Sequence, residues 1–187
     1  MEDLRKLVVT IGGLHGTGKS TYAKALAKIF NLRHVSAGEA FRRLAKKAGV
    51  SLQELTRRAL EDRSIDEYVD QMVKEEASKG GVIIDGLLSA WMAGDKAHVK
   101  IYLWAPDRVR FKRIAERDGL SIEEAEKVTL EREKAEKKRY MKYYGINIDD
   151  LSVYDIVLNT ELLPIQSIVK ILEDIIKEYV KIRFSGT

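Results

Sequence analysis

A glycine-rich segment near the start of the chain has the residue spacing of a phosphate-binding loop. Residues 13–20 read Gly-Leu-His-Gly-Thr-Gly-Lys-Ser and fit the pattern G-x-x-x-x-G-K-[ST]. Glycines let successive backbone N–H groups turn toward a phosphate, because a Cβ there would block the approach. Lys19 is then expected to lie along the β- and γ-phosphates of ATP, and the Ser20 hydroxyl to hold Mg²⁺. The predicted ATP-binding residues of the loop are Gly13, Leu14, His15, Gly16, Thr17, Gly18, Lys19, Ser20 and Thr21.

A carboxylate after a second apolar run is expected to complete the metal site. Asp85 follows Val82-Ile83-Ile84 directly, and this run has the character of a strand. In phosphate-loop enzymes an acidic residue at such a strand end helps to hold Mg²⁺, although a strand-end Asp can also cap the following turn. With the phosphate loop present, the sequence favours the metal role. Ser20 and Asp85 are therefore the predicted Mg²⁺ residues.

The helices that must position these residues are marked by their start signals. The pattern Ser-x-x-Glu, typical of a capping box, occurs at Ser36, Ser51, Ser64 and Ser121. It predicts helices over about 38–48, 52–61, 65–79 and 122–143. Three more helices are predicted from Gly18 to Phe30, after Pro106, and from about Pro164 to Ile182.

Short apolar runs between these helices predict five strands, at about 7–11, 34–35, 82–84, 99–104 and 155–158. The runs are β-branched and nearly continuous, which is typical of strands buried on both faces of a parallel sheet. The pattern predicts a doubly wound α/β fold in which the chain, residues 1–187, forms one domain. Ligands of such sheets bind beyond the carboxyl ends of the strands, where the phosphate loop and Asp85 are expected.

Composition excludes several kinds of site. The 187 residues contain no Cys and only three His, so disulfides, thiolate nucleophiles and cysteine zinc sites are excluded. Charged residues make up 33%, with only three Asn and three Gln, which is typical of a thermophile. No apolar run approaches the roughly 20 residues of a membrane span, and we expect a cytoplasmic monomer. The net charge of +4 fits anion binding of any kind.

Five further segments carry a pattern that is specific to one family, at residues 35–42, 64–70, 90–92, 131–140 and 144–152. They resemble nucleoside monophosphate kinases, most closely the archaeal type of cytidylate kinase, and the similarity runs from about residue 7 to 165. The resemblance implies the nucleoside monophosphate kinase type of five-stranded fold, with ATP as donor and CMP or dCMP as acceptor. It also implies a core (1–37, 80–117 and 147–187), an acceptor-binding insertion (38–79) and a lid (118–146).

The same resemblance implies roles for individual residues. Arg42 corresponds to an arginine that grips the acceptor's phosphate. Residues 132–139 match a lid pattern, R-[DE]-x-x-[DE]-x-x-R, in which Arg139 holds the acceptor phosphate and Glu136 the ribose. Arg113 and Arg117 resemble a pair of which one packs on adenine and the other meets phosphate. The predicted catalytic residues are thus Lys19, Arg132 and Arg139, and the predicted acceptor-binding residues are Ser36, Arg42, Asp66, Asp70, Glu136 and Arg139.

Two segments depart from the family pattern on the acceptor side. Leu87 follows Asp85-Gly86 where the family usually has an arginine, and Gln71-Met72 replace arginines of which one helps to read cytosine. An acceptor with less negative charge, a different base, or a cation from elsewhere in the chain would account for the loss. The donor side is intact.

Two other functions stay open. One is a nucleotide-binding regulator or RNA-associated assembly ATPase that has lost the kinase reaction. The other is a small-molecule kinase for a non-nucleotide alcohol, which would not need Arg42 and Arg139 in its acceptor site. ATP and a small nucleotide are the expected partners, and neither a membrane nor a nucleic acid is expected.

Overall fold

Five parallel strands form one sheet in the order β2-β3-β1-β4-β5. The structure is a computed structural model that describes residues 4–184. Its strands are β1 (Val8–Gly12), β2 (Arg33–Ser36), β3 (Val82–Asp85), β4 (Val99–Trp104) and β5 (Ile156–Asn159). All five predicted strands are confirmed, with ends that differ from the prediction by at most one residue.

The strand register places the chemistry-bearing residues at one edge of the sheet. Asp85 at the end of β3 is paired with Ile11 of β1 and with Ser36 of β2. The loop that follows β1 therefore begins next to Asp85, as expected for the carboxyl edge of a parallel sheet.

Eight α-helices connect and cover the strands in the part of the chain that the structure describes. They are α1 (Lys19–Phe30), α2 (Ala37–Lys47), α3 (Leu52–Arg58), α4 (Ser64–Lys79), α5 (Ser89–Ala93), α6 (Asp107–Asp118), α7 (Ile122–Tyr144) and α8 (Ile165–Phe184), with 3₁₀ turns at Leu4–Lys6 and Gly94–Lys96. The seven predicted helices are present. Helix α5 and the 3₁₀ turns were not predicted, because three to five residues are too few to produce a helical period.

The predicted capping boxes differ in how fully they form. Ser121 has the complete box, in which its side chain accepts from Glu124 N and the Glu124 carboxylate accepts from Ser121 N. Ser36 and Ser51 accept the helical N–H, from Glu39 and Glu54.

The prediction at Ser64 is wrong. Ser64 is the first residue of α4 itself, and its N–H and hydroxyl both donate to Asp62 Oδ1. A competing carboxylate two residues upstream takes the place of the serine cap.

Apolar side chains pack on both faces of the sheet. On one face Val9 and Ile11 pack against α1 and α8. On the other face Val8 and Ile84 pack against α4 and α5. Burial on both faces holds for the central strands β1 and β3, but the expectation is wrong for β2 and β5, whose edge positions leave residues exposed.

Helix α7 corresponds to most of the predicted lid, and α2, α3 and α4 fall within the predicted insertion. Within residues 4–184, none of the helices combines the length and apolar character that a membrane span requires.

Candidate active site

A cavity of about 550 Å³ lies at the carboxyl edge of the sheet. It is lined by the phosphate loop, by Asp85, and by side chains of α2, α4, α6 and α7. Seven cationic and five acidic side chains line it, which leaves an excess of positive charge for a polyanionic ligand. The cations are Lys19, Lys24, Arg42, Arg113, Arg117, Arg132 and Arg139, and the acids are Glu39, Asp66, Asp70, Asp85 and Glu136.

The phosphate loop is closely packed against the start of α6. Gly16 has a φ of +80°, and a Cβ at this position would lie 2.6 Å from the carbonyl oxygen of Arg110. Only glycine meets both conditions. The Thr17 hydroxyl donates to Leu14 O at 2.9 Å, and the Thr160 hydroxyl donates to Thr17 O at 3.1 Å. These bonds brace the loop from within and from the loop after β5.

Lys19 is held within the curve of the phosphate loop. Its Nζ donates to Leu14 O at 2.8 Å. Burial lowers the pKa of Lys19 to about 8, against the opposing charges of Asp85 and Glu136. The amine is therefore mostly protonated at neutral pH and presents a partly desolvated charge, which interacts more strongly with phosphate than a hydrated one.

Asp85 is buried at the end of β3 and accepts three hydrogen bonds. Ser20 Oγ donates to Oδ1 at 2.9 Å, and Ser36 Oγ donates to the same oxygen at 3.1 Å. His34 Nε2 lies 2.7 Å from Oδ2. Hydroxyl and carboxylate oxygens are the donors that Mg²⁺ prefers, so Ser20 and Asp85 fit an ion that is also held by phosphates.

No group of three or more His, Cys, Asp or Glu within the described residues could hold a metal by itself.

Arg110 joins α6, the phosphate loop and α7 through a hydrogen-bond network. Its guanidinium donates to His15 O at 2.8 Å, to Glu133 Oε1 at 2.6 Å and to Asp107 Oδ1 at 2.7 Å. Glu133 Oε1 also accepts from His15 N at 3.1 Å. Two carboxylates thus neutralise a cation whose side chain is only 2% exposed, as a buried charge requires.

Glu136 on α7 lies between the phosphate loop and two arginines. His15 Nε2 lies 2.7 Å from Oε2, and Arg132 Nε donates to Oε1 at 2.9 Å. Arg139 Nη2 is 3.8 Å from Oε1. Burial would raise the pKa of Glu136, but the neighbouring positive charges outweigh it and lower the pKa well below the usual range. Glu136 is ionised at neutral pH.

Arg139 is buried and has an unused donor. Its Nε donates to Asp66 Oδ2 at 2.7 Å. Its guanidinium lies 5.6 Å from the centre of the Phe41 ring and 4.9 Å from that of Tyr140. Nη1 has no hydrogen-bond partner among the described residues. A buried, unpaired N–H on a cation that lines a cavity is the arrangement expected of a group that meets an anionic ligand.

Helix α7 also contacts α4 and the end of α3 through its last turn. The Tyr144 hydroxyl donates to Asp70 Oδ2 at 2.5 Å, and the Tyr143 hydroxyl donates to Ala59 O at 2.9 Å. Together with the pair of Arg139 and Asp66, these contacts bind α7 to α4 and to the end of α3.

Two arginines of α6 line the opposite side of the cavity. The Arg113 guanidinium donates to Thr160 Oγ1 and to Thr160 O, both at 2.9 Å. Arg117 forms two hydrogen bonds with Asp118, at 2.7 and 2.6 Å. Thr160 therefore fixes Arg113 at the base of the loop after β5.

The side chains that depart from the family pattern either pack against apolar neighbours or lie at the surface. Leu87 is 8% exposed and packs in a cluster with Leu88, Tyr140 and Ile148. Met72 packs against the apolar clusters beneath α4, and the Gln71 amide donates to Glu75 at the surface. Leu87 lines the cavity, whereas Gln71 and Met72 do not.

Most of the predicted site residues come together around this one cavity. The phosphate-loop residues His15, Gly16 and 18–21 line it, as do all the predicted acceptor, metal and arginine positions. Gly13, Leu14 and Thr17 do not line the cavity and instead shape the loop.

Several residues of the site were not predicted. Phe41, Tyr140 and Tyr144 position the acidic and basic groups, and His34 contacts Asp85. Phe41 directly precedes Arg42, so the sequence already placed it next to a predicted site residue. The contacts of Tyr144 and His34 join residues 74 and 51 positions apart, and no local signal predicts them.

Comparison with known proteins identifies relatives along nearly the whole chain. A model of the cytidylate kinase-like family matches residues 8–162. A cytidylate kinase from Staphylothermus marinus is 46% identical over 175 residues, which cover 94% of this chain and 99% of that protein. A cytidylate kinase from Ignicoccus hospitalis is 47% identical over 166 residues, which cover 89% and 96%.

Solved structures support the fold. A shikimate kinase from Bacteroides thetaiotaomicron superposes with a TM-score of 0.63 at 15% identity, and the match covers 91% of this chain and 98% of that one. The resemblance predicted from the sequence is confirmed, and with it the phosphate-loop kinase fold and the expectation of a phosphotransferase. The chain belongs to the cytidylate kinase-like family.

Proposed function

We propose that this chain transfers the γ-phosphoryl group of ATP to a nucleoside monophosphate, with CMP or dCMP as the acceptor. The observation that carries the proposal is that one cavity contains Lys19 and Ser20 of the phosphate loop together with Arg42 and Arg139 of the acceptor side. Two phosphate-binding sets in one enclosed space are what transfer between two phosphorylated substrates needs.

The donor would be held at the phosphate loop. Backbone N–H groups of the loop and the start of α1 would receive the phosphates, and Lys19 would contact the transferred group. Ser20 and Asp85 would hold Mg²⁺, which neutralises charge on the β- and γ-oxygens. Arg113 and Arg117 would border the adenine and the phosphates.

The acceptor would lie against α2, α4 and α7. Arg42 forms no hydrogen bond or salt bridge with another described residue, so its guanidinium is available to a ligand. Arg42 and Arg139 would bind the acceptor's phosphate, and Asp66, Asp70 and Ser36 would border the nucleoside. Arginine suits this task because its planar fork binds two phosphate oxygens at once.

Arg132 would stabilise the migrating group, since it lines the same cavity as Lys19 and Arg42. Both oxygens of Glu136 are engaged by His15 and Arg132. We therefore propose that Glu136 orients these neighbours, in place of the ribose contact inferred from the resemblance. The reaction needs no strong base in this scheme, because alignment and charge neutralisation supply most of the acceleration.

The test is an ADP-release assay with Mg-ATP and a panel of acceptors. The panel contains CMP, dCMP, UMP, AMP and GMP, together with sugars and polyols, and one reaction without an acceptor. We expect CMP or dCMP to give the highest kcat/KM. The Lys19→Ala variant serves as the control for contaminating kinases.

Each other result points to a different function. A preference for another monophosphate would replace the acceptor and keep the reaction. A preference for an alcohol would support the non-nucleotide kinase. A slow rate that no acceptor stimulates, combined with RNA binding, would support the regulator.

A further inference from the structure

We propose that His15 is a positioning residue for phosphoryl transfer, which it serves by holding Glu136 and, through it, the guanidinium of Arg132. The proposal rests on the proposed function, in which Arg132 stabilises the migrating group. It does not follow from the phosphate-loop pattern, because residue 15 is a variable position of that pattern.

His15 is bonded to two helices through three of its groups. Its N–H donates to Glu133 Oε1 at 3.1 Å, and its carbonyl oxygen accepts from Arg110 Nη1 at 2.8 Å. Its Nε2 lies 2.7 Å from Glu136 Oε2. The first two bonds use the backbone and fix it, so the imidazole is aimed at Glu136. A substitution at residue 15 removes the third bond and leaves the other two.

The imidazole is in the form that this contact needs. Burial lowers the pKa of His15 to about 4. The negative charge of Glu136 opposes this shift, and the positive charges of Arg132 and Lys19 add to it. At neutral pH the ring is uncharged, and an uncharged imidazole beside a carboxylate carries its hydrogen on the nitrogen that faces it. Nε2–H therefore donates to Glu136.

Glu136, held by His15, in turn fixes the guanidinium of Arg132. Its side chain is 3% exposed, and its oxygens are divided between His15 on one side and Arg132, with Arg139 farther off, on the other. Without the imidazole, Oε2 is a buried carboxylate oxygen that has lost its hydrogen-bond donor. The carboxylate is then stabilised by rotating toward another cation, and Arg132 loses the partner that fixes its Nε.

The physical consequence is a link between the donor loop and the arginine that acts on the transferred group. Without the hydrogen bond from His15, the Glu136 carboxylate would no longer hold the Arg132 guanidinium in place. An arginine aligned before the reaction stabilises the transition state without reorganisation. Loss of His15 should therefore lower kcat more than it weakens ATP binding.

The experiment compares His15→Ala and His15→Gln with the wild type, using the best acceptor of the panel. Glutamine retains an N–H that can donate to Glu136, whereas alanine does not. We expect kcat to fall about tenfold in His15→Ala, equivalent to ~1.4 kcal/mol, and to stay within about threefold of the wild type in His15→Gln. The Kd for ATP, measured by calorimetry, should change less than about threefold in both.

Two further variants separate this role from a structural one. His98→Ala removes another partly buried histidine, which bonds Val8 N far from the site, and should lower the melting temperature without lowering kcat. In an Arg132→Ala background, His15→Ala should cause no additional loss of kcat, because its effect passes through Arg132.

The outcomes are distinct. If the wild type transfers no phosphoryl group to any acceptor, the proposed function fails. If the wild type is active, the role of His15 is overturned by a kcat for His15→Ala that stays within about threefold of the wild type. It is also overturned if His15→Gln is as slow as His15→Ala, or if His15→Ala lowers kcat as much in the Arg132→Ala background as it does in the wild type.

Discussion

Asp66 Oδ2 accepts a hydrogen bond of 2.7 Å from Arg139 Nε, and this ion pair joins α4 to α7 inside the protein. The two side chains are 5% and 1% exposed, so neither charge is hydrated. An ion pair in such a place is costly to break by removing one partner, because the other charge stays buried. Arg139 thus has a structural role in addition to any contact with a ligand.

We expect Arg139→Ala to lower the free energy of unfolding by about 3–5 kcal/mol, because Asp66 is left buried and unpaired. The double variant Arg139→Ala/Asp66→Asn should recover part of this stability, since the amide carries no charge. It should not recover phosphoryl transfer. Urea unfolding and steady-state kinetics measure the two effects. Recovery of activity together with stability would show that Arg139 acts only through the fold.

Lys19→Ala should lower kcat by at least about 100-fold, because the amine stabilises charge that develops on the transferred group. Lys19 Nζ donates to Leu14 O, and burial lowers the pKa of the amine. Its removal deletes one buried cation and leaves the glycines of the loop unchanged. The melting temperature should therefore change by only a few degrees, as differential scanning calorimetry would measure. A variant with wild-type turnover would remove Lys19 from the mechanism.

Arg42→Ala should raise the KM for the acceptor about 10- to 150-fold and leave that for ATP nearly unchanged, since a charge-assisted hydrogen bond contributes about 1.5–3 kcal/mol. Arg43→Ala is the matched control, because Arg43 is the next residue of α2 and does not line the cavity. Equal changes in both KM values would indicate a general electrostatic effect.

Leu87→Arg should destabilise the protein rather than restore an acceptor contact. Leu87 packs against Tyr140 and Ile148, so an added guanidinium would be placed among apolar side chains at a cost of several kcal/mol. We expect a lower melting temperature and no gain in kcat/KM for CMP, whereas Leu87→Met should be nearly neutral. Higher CMP activity at an unchanged melting temperature would instead identify a cytidylate site that lacks one cation.

His98 should make stability depend on pH below neutrality. Its Nδ1 accepts from Val8 N at 3.1 Å, which requires an uncharged ring, and burial lowers its pKa below the ordinary 6.5. The unfolded chain binds the proton more readily, so the stabilisation is fully present above pH 6.5 and is lost as the pH falls through the lower folded value.

The measurement is urea unfolding of the wild type and His98→Gln at about pH 7.5 and about pH 5. The stability advantage of the wild type should shrink at the lower pH. An advantage that does not change between the two conditions would show that His98 does not titrate in this range.

The features that could be predicted from the sequence are those encoded by a contiguous motif or by the pattern of strands and helices. The phosphate loop is a contiguous motif, and the register of a parallel sheet brings Asp85 beside it, so the donor side followed from spacing and topology. The acceptor side required the resemblance to known kinases, since Arg42 and Arg139 occur in segments whose local pattern also fits an exposed, charged helix.

Contacts between distant segments could not be predicted in this way. Arg139 and Asp66 are 73 positions apart, and His15 and Glu136 are 121 apart. Their pairing depends on how α7 lies across the sheet edge, which no pattern within the helix specifies. The error at Ser64 has a local cause, because Asp62 accepts the Ser64 N–H that Glu67 was expected to accept.

The unbroken course of α7 has a geometric consequence for the whole cavity. Glu133 contacts the phosphate loop, and Tyr144 contacts Asp70 of α4. Glu133 and Tyr144 are eleven positions apart, which corresponds to a rise of about 16 Å along the helix axis. The helix therefore sets the distance between the phosphate loop and Asp70. Inserting one residue between them would turn Tyr144 by about 100° around the axis and away from Asp70. A single uninterrupted helix thus fixes the distance between the phosphate loop and Asp70.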